Sequence, residues 1–187
     1  MTNFNGHVHQ EIVEKCQAGD RKAQYELYQL YSKAMFNICL RIVNDRDEAE
    51  DVLQESFISV FKNIRTYKGT ATIGAWIKRI VVNSAINQVR RKHLTLVPLE
   101  DSIPEQMEDT WLPEDERSLD VGKIKQAMMH LPDGYRTVFS LYLLEGYDHQ
   151  EIAQIMDITE STSKSQYNRA KRKMRELLTT SIDHEKG

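Results

Sequence analysis

The sequence predicts an all-α chain built as two small helical domains joined by an acidic, proline-containing linker. Three observations carry that expectation. Apolar residues recur at i, i+3 and i+4 almost without interruption up to Lys92, the period of a helix with one buried face. The strict apolar/polar alternation of a half-buried strand is nearly absent. Between His93 and Glu116 the helical pattern gives way to Pro98, Pro104 and Pro113, and from Glu100 to Glu116 the chain carries acids with no Lys or Arg. We therefore divide the chain into a first domain at 8–93, a linker at 94–118 and a second domain at 119–180.

Each element has a local reason. A short first helix over about His9 to Ala18 ends at Gly19-Asp20. A second, Arg21 to Val43, aligns Leu27, Tyr31, Ala34, Ile38 and Ile42, and Asn44-Asp45 breaks it. Asp45 or Asp47 caps a third helix running to about Ile64, with Ala49, Val52, Leu53, Phe57, Val60 and Phe61 on its apolar stripe. The segment RTYKGTAT, Arg65 to Thr72, is a loop broken by Gly69, and a fourth helix follows from Ile73 to Lys92 with Trp76, Ile77, Ile80, Val81 and Ala85 inward. Short connections favour a compact bundle. Within the linker, Trp111 and Leu112 mark one anchored point.

Helical patterning resumes near Leu119 with Ile124, Ala127, Met128 and Leu131. Leu131-Pro132-Asp133-Gly134 turns the chain into a helix from Tyr135 to Leu144 that packs Val138, Phe139, Tyr142 and Leu143, closed by Glu145-Gly146. From Tyr147 two helices follow with a tight turn between them. The first buries Ile152, Ala153, Ile155 and Met156; Asp157-Ile158-Thr159 breaks the stripe; and the hydroxyl-rich run Thr159 to Ser163 caps a second helix reaching about Leu178. That last helix carries Lys164, Arg169, Lys171, Arg172, Lys173 and Arg175. A capped turn between two short helices, the second strongly cationic, is the pattern of a helix-turn-helix reading a major groove.

Composition narrows the function classes. The 187 residues carry a net charge of -3, too little positive charge for a chain that coats nucleic acid throughout. The charge is instead segregated: Trp76 to Lys92 holds Lys78, Arg79, Arg90, Arg91 and Lys92 without an acid, upstream of the acidic linker and the basic last helix. Cys16 and Cys39 form no CxxC and sit in helical patterns, which points to buried thiols in a reducing compartment. The six histidines show no ligand or catalytic spacing, and no phosphate loop, nucleophile motif or carboxylate dyad appears, so we expect no metal, no cofactor and no enzyme activity. No segment has the length and apolarity of a membrane helix, and the N-terminus lacks the apolar core of a signal peptide. A cytoplasmic chain without membrane insertion is expected.

Three surfaces stand out. AEDVLQESF, Ala49 to Phe57, places Asp51, Gln54 and Glu55 on one polar, acidic face that would repel DNA and suit a basic protein partner. The loop with Arg65, Thr66, Tyr67 and Lys68, followed by Trp76, mixes cations, hydroxyls and aromatics as single-stranded nucleic acid requires. Asn83, Asn87, Arg90 and Arg91 recur at helical spacing, one face able to lie along a duplex.

The segments YELYQLYSKAMFNICLRIVNDRDEAEDVLQESFISVFKNI, GAWIKRIVVNSAINQVRRK and LPDGYRTVFSLYLLEGYDHQEIAQIMDITESTSKSQYNRAKRKM, in that order, resemble the RNA polymerase sigma-70 family, specifically the extracytoplasmic-function type of alternative sigma factor. The resemblance implies a factor that binds core RNA polymerase, recognises the -10 and -35 elements of promoter DNA and promotes melting, with an anti-sigma factor as its regulator. It implies that Asp51, Gln54 and Glu55 bind core polymerase. Arg65, Thr66, Tyr67, Lys68, Asn83, Asn87, Arg90 and Arg91 would serve the -10 element. Ser161, Thr162, Lys164, Ser165, Gln166, Arg169 and Lys171 would serve the -35 element. Ser161-Thr162-Ser163 stands where many members have Gly-Thr-Val, and Gln166 where many have Arg. A different reading of the same helix-turn-helix is a one-piece transcriptional regulator with a helical sensing domain.

Overall fold

The structure, a computed structural model, describes residues 4–93 and 121–183, and all of its described regular elements are helical. The expected linker, including Trp111 and Leu112, lies outside the described residues. The chain divides into two compact units, Met1–Arg91 and Lys92–Gly187.

In the first unit α1 (Phe4–Gln17) begins earlier than the sequence predicts, and α2 (Arg21–Val43) and α3 (Arg46–Asn63) form an antiparallel hairpin. Of its two N-caps, Asp45 is the one the sequence announces, and Asp20 is added by the structure. Asp20 accepts from the backbone N–H groups of Lys22 at 2.7 Å and Ala23 at 3.2 Å, and Asp45 accepts from Glu48 N at 3.0 Å. Asn44 closes α2 in the left-handed region at φ 58°, one of the few residues besides glycine that takes this conformation readily. The hairpin's alignment shows in its rings: Tyr28 meets Phe57 edge-on at 4.8 Å, while Phe36, farther along α2, lies under the Arg46 guanidinium at the start of α3. Leu27, Ile38, Ile42, Val52, Phe57 and Val60 fill the core. Ala34, expected on the inner stripe, faces solvent, and Met35 takes that place.

After α3 a single 3-10 turn (Ile64–Thr66) leads into the loop, and α4 (Ile73–His93) buries Ile73, Ile77, Val81, Val82, Ala85 and Ile86. Gly74 brings the first turn of α4 close to α2: a Cβ there would stand 2.8 Å from the Tyr31 ring. Cys16 and Cys39 are buried, and burial pushes their thiols up to about 11 and about 12, so neither supplies a thiolate at neutral pH.

The second unit packs α5 (Val121–Met129), α6 (Asp133–Phe139), α7 (His149–Met156) and α8 (Glu160–Asp183) around Ala127, Met128, Leu131, Phe139, Ala170 and Met174. The predicted helix from Tyr135 to Leu144 is not one regular helix. Its α-helical part ends at Phe139, and Ser140–Leu144 continue as a wider π turn. That widening shifts the register, so Leu141 is buried while Tyr142 and Leu143, expected inside, are exposed. Arg136 is 1% exposed, and it is held by the Leu131 carbonyl at 2.7 Å and by Asp133. These bonds satisfy carbonyl and carboxylate groups at the α5–α6 corner, the condition for burying a cation at all.

Candidate polymerase and nucleic-acid interfaces

On the first unit, α3 turns Asp51, Gln54 and Glu55 outward, all exposed, with Asp47 and Glu50 beside them. Gln54 also borders a shallow groove between α2 and α3, where Tyr28, Phe36 and Leu53 supply apolar walls and Lys33, Arg46 and Glu50 a charged rim. Arg46 reaches Glu50 at 3.2 Å across one helical turn. The surface is therefore acidic overall, with an apolar crease along it, a combination that suits a basic protein partner.

The loop after α3 is held from behind. Gln17, at the end of α1, donates its side-chain N–H to the carbonyls of Ile64 at 3.0 Å and Tyr67 at 3.3 Å, and Arg65 Nε donates to the Gln17 carbonyl at 3.1 Å. Tyr67 closes the loop on itself: its hydroxyl donates to the Ala71 carbonyl at 2.6 Å, and its ring lies 5.6 Å from that of Trp76. Gly69, at φ 73°, makes the bend between. Thr66 bonds back to the Asn63 carbonyl, and Thr72 caps α4 through Ala75 N. Gln17, which the sequence reading passed over, is a positioning residue of this loop. Its partners are backbone carbonyls far along the chain, and nothing local in the sequence marks them. Lys68 and Thr70 stand at the exposed tip. Asn83, Asn87 and Arg91 are exposed on α4, with Arg90 half-buried next to them. Structure and expectation agree that these side chains share one helical face.

In the second unit Asp148 and Glu151 form a reciprocal capping box at the start of α7. Asp157, left-handed at φ 54°, turns the chain, and Thr159 accepts from Thr162 N at 3.0 Å to start α8. His149 ties the two helices together. Its Nδ1 lies 2.9 Å from the buried Ser163 hydroxyl, and its ring stacks on Tyr142 at 4.4 Å and meets Tyr167 edge-on at 5.7 Å. Burial first, then the Lys164 charge, holds its pKa below the ordinary 6.5, against smaller opposing effects of Glu160 and Asp148. The folded state thus binds the proton more weakly than the unfolded chain. The stability this histidine leaves intact above about pH 6.5 is lost as pH falls through its folded pKa. Thermal melting between about pH 7.5 and about pH 5 should show a fall in midpoint that is smaller in His149→Gln, the difference between the two chains isolating this group from the other titrating residues.

Along α8 the expected -35 residues separate. Ser161 and Lys164 are exposed; Thr162, Ser165, Arg169 and Lys171 are half-buried, and Lys171 sits over the Tyr167 ring at 5.1 Å. Gln166 departs from expectation. It is 6% exposed, in line with the buried Ser163, Ala170 and Met174, and a Cβ at Gly134 would stand 3.2 Å from its Oε1. The missing side chain at Gly134 makes room for it. Gln166 faces α6 and is not available as a base reader.

Residues 27–95 match the family model described as Sigma-70 region 2, and residues 122–174 match Sigma-70, region 4. The ECF RNA polymerase sigma-E factor of Haemophilus influenzae is 33% identical over 92% of this chain and 94% of that protein. The RNA polymerase sigma-H factor of Pseudomonas aeruginosa is 30% identical over 87% of this chain and 89% of that protein. Among solved structures, the sigma factor RpoE from Bartonella quintana, crystallised with the anti-sigma factor NepR, shares the fold with a TM-score of 0.55 and 22% identity over 83% of this chain and 96% of that one. CnrH, in complex with the cytosolic domain of CnrY, has a TM-score of 0.55 and 16% identity over 92% of this chain and 97% of that one. The chain belongs to the extracytoplasmic-function RNA polymerase sigma factors.

Proposed function

We propose that this sigma factor divides initiation between its units. The domain at 8–93 docks on core polymerase through Asp51, Gln54 and Glu55 and serves the -10 element through the loop and α4; the domain at 119–180 serves the -35 element through α8; and 94–118 links them. The observation that carries the reading is the segregation of charge by surface. α3 shows an exposed acidic face, whereas the outer face of α8 shows Lys164, Arg172 and Arg175. An acidic face repels phosphate and attracts a basic protein; a cationic helix does the reverse. Opening the duplex then needs no catalysis by this chain. Captured unstacked bases offset unpairing, which costs a few kcal/mol per flipped nucleotide.

Among the described residues no helix is long and apolar enough to cross a membrane. We place the chain in the cytoplasm with the polymerase and promoter DNA, without an activity of its own as an enzyme. Two fold neighbours were solved with an anti-sigma factor or a cytosolic partner domain, which supports an anti-sigma factor as the regulator here.

Purified core polymerase should initiate from a cognate promoter only when this chain is added. If the free chain instead binds promoter duplex tightly, at about 10⁻⁸ M or better at physiological salt, and core polymerase gains nothing from it, the one-piece regulator is the correct reading.

A further inference from the structure

We propose that Asn168 selects an adenine within the -35 element by reading its major-groove edge; the inference rests on the assignment of α8 to promoter duplex and adds a reader and its base. The inward stripe of α8 is Ser163, Gln166, Ala170 and Met174, all buried. Each residue turns about 100° around an α-helix, so Asn168, two past Gln166, points about 200° away from it. Ser161, Lys164, Arg172 and Arg175 fall within about 40° of Asn168 by the same count. All five are exposed. Asn168 is thus the one amide on a face whose other exposed members are three cations, Ser161 and, farther along, Thr179.

Its neighbours are committed elsewhere. Thr162 Oγ1 lies 2.8 Å from Thr159 Oγ1 in the helix cap, the Ser165 hydroxyl donates to the Thr162 carbonyl at 3.0 Å, and Lys164 is paired with Glu160 at 2.8 Å. The Asn168 carboxamide makes no hydrogen bond among the described residues. One carboxamide offers a donor and an acceptor side by side, and adenine presents the complementary pair, N7 and the N6 amine. Guanine shows two acceptors at that edge, N7 and O6, and would leave the amide oxygen facing a like group. Arg172 and Arg175, on the C-terminal side, suit phosphate, which fixes register without reading sequence.

The test is transcription by core polymerase plus the full chain from a promoter library randomised across the -35 element. The parent should prefer adenine at one position or more. Asn168→Ala should flatten that preference at a single position, where discrimination of roughly 5- to 150-fold is at stake, and leave the others in place. Asn168→Arg should move the preference at the same position from adenine to guanine, whose O6 and N7 match a guanidinium. An Asn168→Ala chain with the parent's full set of preferences, or one that loses output equally on every sequence, overturns the proposal. A parent with no preference anywhere in the -35 element overturns the assignment of α8 itself, a different result. Circular dichroism of each variant separates these outcomes from misfolding, and alanine at an exposed helical position favours the fold.

Discussion

Reversing the charge of the α3 face, with Asp51→Lys and Glu55→Lys in one chain, is expected to weaken binding to core polymerase by about 100-fold. Both carboxylates are exposed on one side of the helix, one turn apart, with Gln54 between them at the edge of the α2–α3 groove. If a basic surface docks there, each reversal replaces an attraction with a repulsion, and like-charge juxtaposition across an interface costs several kcal/mol. About 3 kcal/mol in total corresponds to the stated loss. The fold should not suffer. Asp47, Glu48, Glu50, Asp51 and Glu55 crowd one helix with negative charge, so two lysines relieve repulsion at i, i+4 spacing. Affinity measured beside circular dichroism and thermal melting decides the matter. An unchanged affinity in a folded variant removes the docking assignment. Restoration of binding at high salt is not expected, because salt screens the parent's attraction as it screens the variant's repulsion.

What the sequence made legible follows from how local each signal is. Asp45 and Thr159 sit within three residues of the groups they cap, and each was read as a helix start; Asp20 and the Asp148–Glu151 box act over the same short range but were passed over. The α2 boundaries came out as expected for the same reason. The acidic face of α3 was legible because its outward side is fixed by the apolar residues opposite.

Gln166 was not legible. The side of α8 that meets α6 is decided by packing, and two of its four inward residues, Ser163 and Gln166, are polar, so the stripe that hydrophobicity marks elsewhere is interrupted there. The absent side chain at Gly134 accommodates Gln166, and that complementarity spans a separation no periodicity reports. The π turn at Ser140–Leu144 failed for a related reason. A five-residue run of apolar and hydroxyl side chains satisfies a regular helix as readily as a widened one, and only the observed shift that buries Leu141 and exposes Tyr142 tells them apart.

On the promoter side the largest effect is expected from the loop between α3 and α4. Its tip offers Lys68 and Thr70 to solvent, while Tyr67 turns inward, bonded to Ala71 and beside Trp76. Tyr67 therefore shapes the loop, and if the loop captures a base, the tip is the part that would meet it. A chain with Tyr67→Ala and Lys68→Ala should still form a closed complex with polymerase and duplex promoter, because the docking face and α8 are untouched. Opening should fall by roughly 10- to 100-fold, since the few kcal/mol that capture of an unstacked base returns are lost at that step alone. Tyr67→Phe keeps the ring against Trp76 and removes only the hydroxyl's bond to Ala71, worth about 1 kcal/mol, so its defect should be the smaller one. Permanganate reactivity of promoter thymines reports the opened bases, and footprinting reports the closed complex. A promoter premelted across the -10 region should recover part of the loss, because unpairing no longer has to be offset by capture. If the double variant opens duplex promoter as well as the parent does, the loop does not hold a base and melting must be driven from another surface of the first unit.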